Sequence, residues 1–216
     1  YALTMRPWLS SLALRRNSRV FHDQTALQVI EAVLAEHQPM AHWRIDVSEA
    51  LRVRSLCTQY RESDLDFVQR LLAEEGLSYH FEHLDGQAAA DADAAHHAKH
   101  VLVITGRLAQ RTALGAVRFT SQHATANLSG QKDSITAFMA QRQLTAHGIS
   151  LAAWDYKRLT GVSAEDASTL SLGELPALQV YDGSGTYRYE HPEHAQRAAA
   201  LALAALELDI LSLIHI

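Results

Sequence analysis

The sequence predicts a mixed α+β fold in which strands dominate, and three patterns carry that prediction. A strand–helix–strand–turn succession is compressed into residues 57–86, and a second amphipathic helix precedes it. From residue 106 onward, short extended segments alternate with turn residues until one Ala-rich helix near the end. Spacings of three and four mark a helix with one buried face, and alternation marks a strand with one buried face. The 216 residues suit one large or two small domains. A chain of that size buries about 70% of its unfolded surface, so a core forms without covalent staples.

Taken in order, residues 2–8 read as a strand running into Pro7, which lacks an amide hydrogen and belongs at an edge or a strand end. Asn17-Ser18 signals a turn, after which Arg19-Val20-Phe21 resumes an extended run. Asp23 or Thr25 can cap the first helix, and Thr25 with Gln28 has the spacing of a reciprocal capping box. Leu27, Ile30, Val33 and Leu34 give that helix one apolar stripe, and it ends before Pro39. Residues 43–53 are mixed, and Cys57-Thr58-Gln59-Tyr60 is extended. Ser63 then starts a second helix, with Asp66 three residues on and first-turn acids suiting the positive helix end. Its stripe is Leu65, Val68, Leu71 and Leu72 with Phe67 on the flank, and Gly76 is placed to end it in a left-handed cap. Leu77, Tyr79 and Phe81 alternate with Ser78, His80 and Glu82 as a half-buried strand, closed by the hairpin-type Asp85-Gly86.

Residues 87–100 are rich in Ala, Asp and His without large apolar partners, the composition of an exposed loop. Residues 101–104 form a short buried strand. Strands are expected at 117–120, 134–144 and 149–156, with His147-Gly148 as a hairpin tip. Leu178-Gln179-Val180-Tyr181 is a further strand, closed by a turn at Asp182-Gly183-Ser184-Gly185 and resumed at Tyr187. Residues 191–208 read as a helix with Pro192 in its first turn. No repeat with a period of 20–50 residues is visible.

Charge and cysteine content exclude several classes. With 19 Lys and Arg against 24 Asp and Glu, the net charge of −5 argues against a general nucleic-acid binder, whose affinity comes from cations on phosphates. One cysteine, Cys57, rules out an internal disulfide framework and a cysteine-based zinc site. No basic start followed by an apolar run marks a Sec signal, and no segment reaches the roughly 18–20 apolar residues of a membrane span. A soluble protein made in a reducing cytoplasm is therefore expected. The chain opens on Tyr1 rather than Met, inside an apparent strand, as a piece of a longer protein would.

The candidate chemistry is thin. No Gly-rich phosphate loop and no His-Glu-x-x-His pattern occurs. His96, His97 and His100 with Asp91 and Asp93 are the one plausible cluster for Zn or Ni, but a loop of this composition does not supply the fixed geometry a metal needs. His191 and His194 lie one helical turn apart without a third ligand. Paired acids could suggest glycoside chemistry, yet Glu62, Asp64 and Asp66 sit where capping and solvation explain them, and Glu75, beside Glu74 at the other end of the same helix, reads as exposed. Arg61 beside Glu62 and Asp64 reads as a local ion pair, and Cys57 as a buried, inert thiol. No catalytic, cofactor-binding or metal residue is assigned.

The run Gln59-Tyr60-Arg61-Glu62-Ser63-Asp64-Leu65-Asp66-Phe67, continued through Glu75-Gly76-Leu77-Ser78-Tyr79-His80-Phe81-Glu82-His83, closely resembles the VgrG spike proteins of type VI secretion systems. Pro7-Trp8-Leu9, Ser18-Arg19-Val20-Phe21, Trp154-Asp155-Tyr156-Lys157 and Val180-Tyr181-Asp182 agree, so the resemblance covers about positions 1–210. It implies a phage tail hub-like fold, with antiparallel β-barrel subdomains around a helix-containing α+β piece. The implied division is 1–20 as the end of a first barrel, 21–105 as the α+β subdomain, and 106–210 as second-barrel strands and a C-terminal helix. It also implies a non-enzymatic, structural role without a cofactor: a homotrimeric spike base that caps the Hcp tube and carries effectors and adaptor proteins. Nucleic acid and stable membrane insertion are not expected. Such a protein would stay in the bacterial cytoplasm before firing and then pass into the medium or a target cell. A phage or prophage tail hub is the alternative, with a carboxylate or metal hydrolase behind it. The last residues, 211–216, match what a sequencing-library adaptor would encode and are expected to be foreign.

Overall fold

The computed structural model describes residues 1–83, 100–107, 109, 115–116, 118–119, 134–135, 144–170, 176, 178–186 and 188–210. The chain divides into two compact units, Tyr1–Gln110 and Arg111–Ile216.

The first unit opens with a 3-10 helix, Trp8–Leu14, followed by β1 (Arg16–Thr25), α1 (Ala26–Ala35), β2 (Trp43–Asp46) and β3 (Val53–Ser63). α2 (Asp64–Glu75), β4 (Ser78–His83) and β5 (His100–Thr105) complete it. β1 and β3 form an antiparallel ribbon. In the other sheet β5 lies between β2, which runs parallel to it, and β4, which runs antiparallel. Local signals set the helix ends. Gln28 N–H donates to Thr25 Oγ1 at 3.3 Å and Thr25 N–H to Gln28 Oε1 at 2.9 Å, closing the capping box. Asp66 N–H donates to Ser63 Oγ at 3.1 Å, and Gly76 ends α2 at φ 67°.

One apolar core binds these elements. α1 buries Ala26, Val29, Ile30, Val33 and Leu34, while α2 buries Phe67, Val68, Leu71 and Leu72 against them. Leu102 and Ile104 of β5 and Leu12 of the 3-10 helix close the cluster. Leu27 and Leu65, expected in the stripes, are only partly buried. Phe67 instead sits at the centre, stacked on Phe21 of β1 with ring centroids 5.9 Å apart. Each side chain of this size removes about 1.5–3 kcal/mol of apolar exposure.

Two expectations for this unit are corrected. Residues 2–8 are not a strand: residues 1–7 are exposed without regular structure, and Trp8 begins the 3-10 helix. Trp8, Leu9 and Leu12 are all buried, a spacing that suits a helical turn, and Ser10 N–H donates to Pro7 O at 3.0 Å. Asn17-Ser18 is not a turn either: β1 runs through both residues. The ribbon carries one register shift, where Arg61 is the extra residue opposite Asn17 and Ser18. Arg61 adopts φ 52°, the left-handed conformation such an insertion needs, and its N–H donates to Ser18 Oγ at 3.2 Å.

The second unit contains β6 (Arg118–Phe119) and β7 (Ser134–Ile135), a short parallel pair. It also contains β8 (Gly148–Asp155), β9 (Thr160–Ala167), β10 (Gln179–Thr186) and α3 (Pro192–Ile210). β8 is central, antiparallel to β9 and parallel to β10. α3 lays Ala195, Ala199 and Leu203 on Ile149, Leu151, Ala153, Val162 and Ala164. His147-Gly148 is not a hairpin tip: both amides donate to Leu178 O, at 2.7 and 3.2 Å, and so open β8. Residues 182–185 do not close β10 either; the strand continues to Thr186 with a register shift after Gly183, and Gly185 absorbs it at φ 77°. The expected Asp85-Gly86 turn and residues 87–99 of the expected 87–100 loop lie outside the described residues, while His100 belongs to β5 and not to a loop.

Candidate functional site

Asp64, the first residue of α2, receives hydrogen bonds from four side chains. It is 0% exposed. Its Oδ2 accepts from Arg15 Nε at 2.6 Å and His37 Nε2 at 2.9 Å, and its Oδ1 accepts from Gln59 Nε2 at 2.8 Å and Arg19 Nη2 at 3.0 Å. An ionised carboxylate only accepts, so His37 carries its proton on Nε2 in this contact. The Asp64 amide also donates to Arg15 O at 2.9 Å. Glu36 joins from outside, taking Arg15 Nη2 at 2.5 Å and a nitrogen of Arg19. Five segments thus meet at one carboxylate. Burial pushes that carboxyl up, but the hydrogen bonds from Gln59, His37 and Arg15 outweigh burial and hold it below the usual carboxylate range.

A second ionic cluster spans β3 and α2. Buried Arg54 donates to Glu74 and Glu75, each at 2.6 Å. Arg70 donates to Glu62 at 2.6 Å, to Glu74 at 3.1 Å and to Thr58 O at 3.0 Å, while its guanidinium lies 5.2 Å from the Phe67 ring. Hydrogen bonding to Glu62 raises the Arg70 pKa further. Glu75 is therefore buried and paired, not exposed as the sequence suggested. Arg61 does not pair with Glu62 or Asp64 as expected; Glu62 is taken by Arg70, and the Arg61 guanidinium sits 5.3 Å from the Tyr60 ring. Cys57 is buried among these groups, and burial pushes its thiol up. Of the acids that could suggest a hydrolytic pair, Glu62, Asp64, Glu74 and Glu75 each neutralise a cation, while Asp66 accepts from Ser63 Oγ at 2.6 Å.

The histidines are dispersed. Asp91, Asp93, His96 and His97 lie outside the described residues. His100 begins β5, accepts the Trp8 amide at 3.3 Å and packs on Phe81; burial lowers its pKa. His191 and His194 stack edge to face at the start of α3, 5.3 Å apart. Among the described residues, no three His, Cys, Asp or Glu side chains are grouped to hold a metal.

Surfaces offer more than pockets do. The β1–β3 ribbon turns Arg19, Phe21, Cys57 and Gln59 inward, and leaves Val20, Leu56 (59% exposed) and Tyr60 (66% exposed) outward. The sequence held the signal: apolar residues occupy neighbouring positions at 20–21 and 56–57, so both faces of the ribbon carry apolar side chains. In the other unit, Trp154 and Tyr181 of the β8–β10 sheet are exposed. No helix among the described residues is long and apolar enough to cross a membrane.

Comparison with known proteins adds the family. Residues 1–211 match the family model described as phage tail baseplate hub (GPD). The type VI secretion system spike protein VgrG4b of Pseudomonas aeruginosa is 45% identical over 84 residues, 38% of this chain and 10% of that protein. VgrG1b of the same organism is 26% identical over 194 residues, 87% of this chain and 24% of that protein. The chain thus spans a quarter or less of the length of these curated relatives. The crystal structure of a tail protein from Neisseria meningitidis MC58 shares the fold at a TM-score of 0.58 and 11% identity, over 91% of this chain and 52% of that one.

Proposed function

The chain belongs to the phage tail baseplate hub family, and on that premise we propose that it is part of the base of a type VI secretion spike, a structural component rather than an enzyme. The observation that carries this reading is the 45% identity to a type VI spike protein, within a family match that runs from residue 1 to 211. Three copies form the spike base, cap the Hcp tube and carry effectors or adaptor proteins. Residues 106–210 contribute strands of the second hub barrel. The protein waits in the cytoplasm and leaves the cell when the apparatus fires.

The physical character of the molecule supports an assembly role. Its ionisable clusters are internally paired, while apolar side chains of the ribbon and of the second sheet face outward, the condition for burial by a neighbouring subunit. The family description, a phage tail baseplate hub, keeps a phage or prophage tail hub as the alternative. Sedimentation of the purified protein at tens of micromolar, with and without the Hcp tube protein, tests the proposal. A trimer that binds the tube is expected; a monomer indifferent to the tube would overturn it. Neighbouring genes decide between the two machines: sheath and membrane-complex genes fit secretion, and capsid and terminase genes fit a phage.

A further inference from the structure

We draw no further inference here: the strongest candidate, the groove at the end of the β10–β8–β9 sheet lined by His147, Glu165, Asp166, Leu178 and Gln179, carries nothing because its polar groups form an acidic cluster and nothing in the structure points to a ligand in it.

Discussion

The two units solve the problem of holding helix to sheet in different ways. In the first, α1 and α2 push branched and aromatic side chains into the interior, and two ionic clusters tie the helix ends to the ribbon. In the second, α3 approaches its sheet through alanines, with Ala195 and Ala199 fully buried and Leu203 as the one larger side chain that α3 adds to the core cluster. A buried methylene contributes about 0.8 kcal/mol, so an alanine interface gains less from leaving water than one built of Phe, Ile and Leu. The first unit has the interior to stand by itself. Among the described residues, the second unit joins helix to sheet by fit more than by hydrophobic area.

Substitutions can break or sharpen that contrast. The largest effect belongs to Phe67→Ala, which empties the centre of the first core and costs about 3–5 kcal/mol. Hydrogen exchange read separately in each unit should show protection lost in residues 1–83 and retained in α3; equal loss in both would erase the contrast. Asp64→Ala follows at about 3 kcal/mol, toward the lower end for a broken buried pair because Arg15 and Arg19 stay partly solvated. Urea midpoints of the first unit would record it.

The same carboxylate gives a pH signature. Its folded pKa lies below the ordinary value of 3.8, so its contribution is complete above pH 3.8 and is lost as pH falls through the lower folded value. Acid titration of wild type against Asp64→Asn should therefore show the variant with a shallower acid limb. An unchanged limb would mean that Asp64 is not the responsible group.

Smaller effects probe the fit. Ala199→Leu overpacks the helix–sheet interface of the second unit and should cost about 1–3 kcal/mol there while leaving the first unit unmoved. No change in thermal unfolding would show that α3 can slide outward freely. Ser63→Ala removes the α2 cap and should cost about 1 kcal/mol, visible as faster amide exchange in the first turn of that helix.

How much of this was readable beforehand follows from how local each signal is. The caps at Thr25, Ser63 and Gly76 were legible because each depends on residues three or four positions away. Burial of Glu75 was not, because its partner Arg54 comes from β3, on the far side of the α2 sequence. Asp64 was legible as a first-turn acid but not as a junction, since Arg15, Arg19 and His37 arrive from three other segments. The 182–185 run misled for a different reason. Asp, Gly and Ser promise a turn, yet pairing with β8 carries the strand through them, with Gly185 absorbing the irregularity. The outward face of the ribbon was written in the adjacent apolar pairs, which only an assigned register converts into a surface.

The inserted residue at Arg61 has a consequence for variation at this point of the chain. Gln59 and Asp64 meet through a 2.8 Å hydrogen bond, and the left-handed step between them brings the two into phase. Glycine or asparagine could take that step as easily as arginine, since both tolerate positive φ. Removing the residue would instead erase the bulge and shorten the path from Gln59 to Asp64 by one residue, pulling apart the geometry of their hydrogen bond. What is specified here is a count and a left-handed step, so related chains are expected to vary at position 61 among residues that tolerate positive φ while keeping the interval from Gln59 to Asp64 fixed.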